Sequence, residues 1–218
     1  MLKKVCIVIG ILVCLQLVLV GINIMQKGGS SWKGRSIENI LGVAATEATL
    51  DDVKKLSKAD VFQLFYAAPP PEFTEMKGEY SAVTLNVGVL AFAADFFTYH
   101  FFGPGYWEGK AFYPFEEQQG WGYNLFSEKD EVGTKRFIRT RRMNTWVGPS
   151  TIDDKVSFHL DYSPYNTGLV HSMHDEIRKI NDRLFIGLGY MAAGGGSLNP
   201  APFVLHGAPQ PWQGIDPR

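Results

Sequence analysis

Gly105-Tyr-Trp-Glu-Gly-Lys-Ala-Phe-Tyr-Pro-Phe115, with Gly120-Trp-Gly-Tyr-Asn-Leu-Phe126 a few residues on, is the stretch that decides the fold. Aromatic residues alternate with small or polar ones, and glycines separate the runs. This pattern marks half-buried antiparallel strands with one face on a core. Downstream, Lys155 to Tyr162 alternates most cleanly: Val156, Phe158, Leu160 and Tyr162 share one face, and Ser157, His159 and Asp161 share the other. Further strands are expected at 80–85, 134–146, 173–181, 184–190 and 203–206, with a hairpin turning at Asn181-Asp182. The apolar run from Leu90 to Phe102 reads equally as a short helix or a buried strand. Strands this short and frequent imply a barrel or sandwich. The expected class is mainly β, an antiparallel barrel.

Upstream of the strands, Thr49-Leu-Asp-Asp52 has the form of a helix start. Val53, Leu56, Val61, Leu64 and Phe65 continue an apolar stripe until Pro69-Pro70-Pro71 stops it. This single helix before the first strand is expected to lid or buttress the sheet. Gln26 to Ala48 shows no sustained period and reads as a linker. Val5 to Ile24 is apolar apart from Gln16 and Asn23 and follows Lys3 and Lys4. The run approaches the roughly 20 residues that cross a bilayer, and no good cleavage site follows it. The expected layout is a signal anchor or signal peptide at 1–26, a linker at 27–48, the barrel domain at 49–208 and a tail at 209–218. A single-pass membrane protein with its C-terminal domain translocated is expected, or a secreted one if the segment is cleaved.

Charge and cysteine content narrow the function classes. With Lys3, Lys4 and Lys27 set aside, 18 bases face 22 acids in residues 28–218, a net −4. Phosphate binding needs a basic face, so nucleic acid is not an expected partner. Cys6 and Cys14 both lie in the apolar segment, which leaves the barrel without a thiol nucleophile, a disulfide or a cysteine metal site. Gly194-Gly-Gly196 lacks the Lys-Ser/Thr of a phosphate loop. No Gly-x-Ser-x-Gly elbow is present either. No cofactor is expected.

Pro69-Pro-Pro-Glu-Phe-Thr-Glu-Met-Lys-Gly78-Glu-Tyr80-Ser-Ala82 resembles the opening of the GXWXG-type domain, with Tyr80 in place of the tryptophan and Ala82 in place of the second glycine. Trp107-Glu-Gly-Lys-Ala-Phe112 is similar to the Trp-x-Gly-Lys-x-Phe element of such proteins. Asp161-Tyr-Ser-Pro164 and the stretch from His174 to Gly187 resemble the companion domain of unknown function that follows it, with Tyr165–His171 standing as an insertion. The resemblance covers about residues 61–206. It implies a lipocalin-like, calycin barrel with a pocket for an apolar molecule, and no particular reaction.

The most suggestive cluster is His171-Ser-Met-His174-Asp175-Glu176. On a helix, His171 and His174 would share a face and could ligate zinc with His159 or Asp161. On a strand they point apart, so no metal is expected. Asp175, with His174 before it and Arg178 after it, is the expected general acid/base or substrate-orienting group, and Asp161 is a fourth candidate. The bland alternative is an ordinary Asp175–Arg178 ion pair. Arg139 and Arg141, within a run of five bases, are candidates for meeting an anionic head group. Trp107, Lys110, Phe112, Trp121, Tyr123, Trp146 and His159 are candidates for lining a pocket, against the default of core filling. The expected function is binding of a small apolar or amphipathic ligand (fatty acid, terpenoid or pigment) near a membrane. The alternatives are a cofactor-independent isomerase, cyclase or hydratase in the same cavity, and a non-catalytic interaction domain.

Overall fold

Eight antiparallel strands close on themselves in chain order: β1 (Gly78–Thr84), β2 (Tyr106–Pro114), β3 (Gly120–Lys129), β4 (Lys135–Pro149), β5 (Val156–Asp161), β6 (His174–Asn181), β7 (Leu184–Tyr190) and β8 (Ala201–Gln210). Strand β8 pairs back onto β1, with Thr84 opposite Phe203, so the barrel leaves no open edge. This computed structural model describes residues 2–129 and 132–217, and side chains from Ile7 onward except residues 8, 9 and 12. Part of the expected Ser127–Gly133 turn therefore lies outside the described residues.

Period-two alternation sorts the side chains. Phe158 and Leu160 of β5 point inward with Phe112, Met143, Ile177 and Phe185, and His159 and Ser157 point outward, as the sequence pattern predicts. An eight-stranded barrel is just wide enough to be filled by side chains or to hold one small ligand. This one does both. Phe112 packs edge-on against Phe158, with ring centroids 5.4 Å apart, and Phe73 stacks on Phe158 at 5.6 Å. These aromatics plug one end, and the other end stays hollow.

The expected single helix is two, α3 (Leu50–Lys54) and α4 (Lys58–Ala67). Ser57 interrupts it because its hydroxyl accepts from Asp60 N at 3.2 Å and starts a new N-terminus. Helix α4 buries Val61, Leu64 and Phe65 against Ile186, Leu188 and Val204 on the outer wall of the barrel. It buttresses the sheet and does not lid it.

The structure refines three of the sequence readings. Residues 27–48 are not a free linker: Ser36 caps α2 (Ile37–Leu41), and Ile40 joins the core under α4. Residues beyond 210 are not a loose tail. Trp212 packs on Tyr123 with ring centroids 4.5 Å apart, and Asp216 accepts from Arg139 N at 2.8 Å. The run from Leu90 to Phe102 is helical: α5 (Ala91–Phe97) continues into a wider turn at Thr98–Phe102. Its alanines favour a helix. Its Phe97 and Phe102 reach the barrel core while Phe92 and Phe96 stay exposed.

The connection carrying α5 crosses the hollow end of the barrel, and so does α1 (Leu2–Gln26). Among the described residues no helix is long and apolar enough to cross a membrane. The described side chains of α1 are nonetheless mostly apolar and, up to Val18, exposed. Its last turns are fastened to the barrel. Gln16 Nε2 donates to Ala193 O at 3.1 Å, Asn23 Nδ2 donates to Asn199 Oδ1 at 2.8 Å, and Lys58 Nζ donates to Asn23 O at 3.0 Å. Lys58 thus supplies donors and charge where the helix exposes its final carbonyls.

Candidate functional site

The hollow end forms a cavity of about 400 Å³, within the range of small-molecule pockets. Its walls are almost wholly apolar, from Val87, Ala94 and Phe97 in the crossing segment to Trp107 and Phe203 on the strands. At its floor lies one polar group, built by β2, β3, β5 and β6. Lys110 Nζ donates to Asp175 Oδ2 at 2.7 Å, to the Tyr162 hydroxyl at 2.6 Å and to Asn124 Oδ1 at 3.0 Å. All three ammonium donors are therefore satisfied. The Tyr162 hydroxyl donates to Asp175 Oδ2 at 2.8 Å and accepts from Asn124 Nδ2 at 3.1 Å. Trp107 Nε1 fixes Asn124 Oδ1 from the other side at 3.0 Å.

Each element of this floor has a local cause. Lys110, Asn124 and Asp175 occupy inward positions, with Lys110 opposite Asn124 in the β2–β3 ladder. Gly189 opposes Asp175. A Cβ at Gly189 would lie 2.5 Å from Asp175 Oδ1, so only glycine leaves room for the carboxylate. The rings of Trp107 and Phe203 each stand 5.1 Å from Lys110 Nζ and offer their faces to the cation.

Both side chains of the ion pair are only 3 % exposed. Burial pushes the Lys110 ammonium below its ordinary range, against the opposing pull of Asp175. Burial, then the Asp175 charge, pushes the Tyr162 hydroxyl well above its own. The floor is strongly polar yet carries no net charge.

The α5 segment that crosses the cavity is pinned by Arg141. Between Gly122 and Asn124 of β3 the register slips on β4 from Met143 to Thr140. Arg141 sits in this bulge at a φ of 58°, and bulges of this kind re-aim a side chain. Its guanidinium donates to Phe102 O and, at 3.0 Å, to Phe101 O. Cation and carbonyls meet at the C-terminal end of the helical segment, where its dipole is negative.

Of the candidate pocket residues, Trp107 and Lys110 line the cavity and Phe112 fills the plugged end. Trp121 and Tyr123 lie on the outer face beneath Trp212. Trp146 is also outside, stacked on His159 with ring centroids 5.1 Å apart. Arg139 meets Glu79 at 2.6 Å on the outer wall, so neither it nor Arg141 faces the cavity as a head-group ligand.

The expected acid/base set divides as well. Asp175 alone faces the cavity. Arg178, three residues along a strand, must face outward. There it is fully buried and grips both Asp153 oxygens at 2.7 and 2.5 Å and Phe65 O at 3.0 Å, which ties α4 to the barrel. Burial pushes the Asp153 carboxyl up, but the Arg178 fork outweighs it and holds the group below its usual range. His174 and Asp161 are also on the outer face: His174 contacts His159 and Tyr190, and Asp161 Oδ1 accepts from Ser163 N at 2.9 Å. The His171–His174 pairing that a helix would have allowed does not form: His171 Nδ1 lies against Ser163 O and Asn166 O.

Sequence reasoning missed Tyr162 and Asn124. Tyr162 was visible on the inward face of its strand with Phe158 and Leu160, where a hydroxyl needs a buried partner. Asn124 carried no signal of its own.

No protein-family pattern matches this chain, and no curated protein matches it. Among solved structures, a protein from Thermomonospora curvata superposes with a TM-score of 0.48 at 16 % identity, covering 72 % of this chain and 91 % of that one.

Lys110→Met is expected to destabilise the fold by about 3–5 kcal/mol, because it strands Asp175 as a buried charge. Adding Asp175→Leu to it should recover most of that loss. A double-mutant cycle from urea unfolding checks this, and additive losses would show that the two charges are not coupled.

Proposed function

We propose that this protein holds a small apolar molecule with one uncharged polar head, its tail under α5 and its head against Lys110, Tyr162 and Asp175. The single observation that carries this reading is the apolar cavity of about 400 Å³ that ends on a buried, net-neutral ion pair. A hydroxyl can donate to the Asp175 carboxylate, which lines the cavity, without adding charge. A carboxylate would bring a second anion to a lysine already matched by Asp175, and burying unmatched charge is costly. Terpenoid alcohols therefore fit better than fatty-acid anions. The resemblance to the GXWXG-type domain implies a pocket for an apolar molecule and is silent on the head group.

The membrane-proximal part of the reading rests on the apolar run Val5–Ile24 and on the exposed Ile11, Val13, Leu15 and Leu17 of α1, whose far end roofs the cavity. We read α1 as a tether that holds the mouth of the barrel beside a bilayer. Washing membranes at alkaline pH should leave the full chain in the pellet, and release into the supernatant would remove the tether.

One observation favours catalysis as a second reading. Lys110 and Tyr162 are both shifted from their ordinary proton affinities by burial, beside a carboxylate in a cleft, and such sets mark acid/base sites. An isomerase, cyclase or hydratase would use these three groups, with Arg178 excluded from the cavity. Tyr162→Phe separates the readings, because it leaves the Lys110–Asp175 pair in place: ligand retention survives in both, and turnover of a bound terpenoid disappears only in the second.

The head-group preference is tested by displacing a fluorescent apolar probe from the full chain with an alcohol and a carboxylate of equal length. The alcohol is expected to bind at least about tenfold more tightly, a difference of about 1.4 kcal/mol. Equal affinities would overturn the neutral-head reading, and failure of both would favour a packed interaction domain.

A further inference from the structure

We propose that the outer face of β5 and β6 carries a site for one divalent zinc-class ion, held by His159, His174 and Glu176. Two of these side chains are buried and the third is half-buried, and their ligand atoms all lie within 4.8 Å of one another. The site is on the opposite side of the barrel wall from the cavity, and it is independent of the ligand reading above.

The donors are prepared for a cation in three ways. His159 Nε2 lies 3.2 Å from Gly148 O. A carbonyl only accepts, so this nitrogen carries the proton and Nδ1 presents its lone pair to the cluster. Fixing the tautomer through the far nitrogen is the usual outer-shell arrangement at metal-ligating histidines. Glu176 Oε1 is held by Thr151 N at 2.9 Å and Thr151 Oγ1 at 2.8 Å. Its other oxygen, Oε2, is buried with no hydrogen-bond partner, on a residue of 0 % exposure. The Ser150 hydroxyl stands near this carboxylate, yet no well-formed hydrogen bond reaches Oε2, and a cation would satisfy it. Finally, the rings are set in place: Trp146 stacks on His159 at an interplanar angle of 7°, and Tyr190 stacks on His174 at 30°.

The spacing also suits the ion. His159 Nδ1 and His174 Nε2 are 2.9 Å apart. Two nitrogens bound to tetrahedral zinc at about 2.0–2.1 Å stand roughly 3.3 Å apart. Loading therefore asks the two rings to part slightly while Glu176 Oε2 closes in, and it asks His174 to move its proton to Nδ1. Solvent takes the fourth position, since His174 is partly exposed. The ligands come from adjacent strands, and the Thr151 shell brings in the β4–β5 loop, so the ion would clamp the outer wall beside Asp175.

The test is calorimetric titration of chelator-stripped full-length protein with Zn²⁺, repeated with His174→Ala and Glu176→Gln after circular dichroism confirms their fold. One ion per chain is expected, with affinity at least about 100-fold weaker in each variant, the upper end of what losing an outer-shell partner alone costs. No binding, or binding unchanged in both variants, overturns the site. Should the variants not fold, Co²⁺ titration of the unaltered chain decides. Visible bands of a four-coordinate nitrogen–oxygen centre support it. Absence of bands, or thiolate charge-transfer absorption placing the ion on Cys6 or Cys14, refutes it.

Discussion

The pairing of Lys110 with Asp175 inside an apolar barrel is the interaction on which the rest of the site depends. Neither charge is tolerable there alone, so both must be present, close and fully hydrogen-bonded. That requirement reaches outward through the fold. It explains why a tyrosine stands on the inward face of β5's continuation, why an asparagine interrupts the core of β3, and why glycine faces Asp175 across the β6–β7 ladder. It also sets the chemistry of the cavity: a polar floor without net charge beneath apolar walls.

Strand parity governs the other half of the molecule. Along β6, Asp175 and Ile177 turn inward while His174, Glu176 and Arg178 turn outward. A run of polar residues that looks like one cluster in the chain is therefore dealt to two faces with different tasks. The inward member belongs to the cavity. The outward members brace α4 through Phe65 O and Asp153, and gather two histidines and a glutamate under the β4–β5 loop. The wall between them is one residue thick.

Most of the barrel was legible from alternation, because period two in β2, β3 and β5 arises from the same burial that the folded structure displays. What was not legible was anything that depends on register. Lys110 and Asp175 are 65 residues apart in the chain, and nothing local announces that they meet. Residues 90–102 were ambiguous because an unbroken apolar run satisfies helix and strand alike. Residues 27–48 looked free because Ile37, Ile40 and Leu41 form an apolar face too short to show a period. Arg141 was read as a head-group ligand; its pinning role depends on a bulge that only the paired strands reveal. The Asp175–Arg178 pairing failed for the simplest reason, since an odd separation on a strand puts two side chains on opposite faces.

Helix α1 is part of the cavity wall. Gln16, Val20 and Asn23 belong to the cavity wall, and Asn23 O receives the ammonium of Lys58, which burial and the nearby Lys27 charge bring down to about 8. A chain trimmed past Asn23 to make it easier to handle in water would keep all eight strands and the ion pair at the floor. It would also lose one side of its roof and leave Lys58 as a solvated cation at the rim. Such a trimmed protein would have a cavity open on that side, with a cation beside its mouth. Ease of handling and an intact cavity are in opposition in this molecule, because the apolar segment that resists water is also one that closes the hollow end.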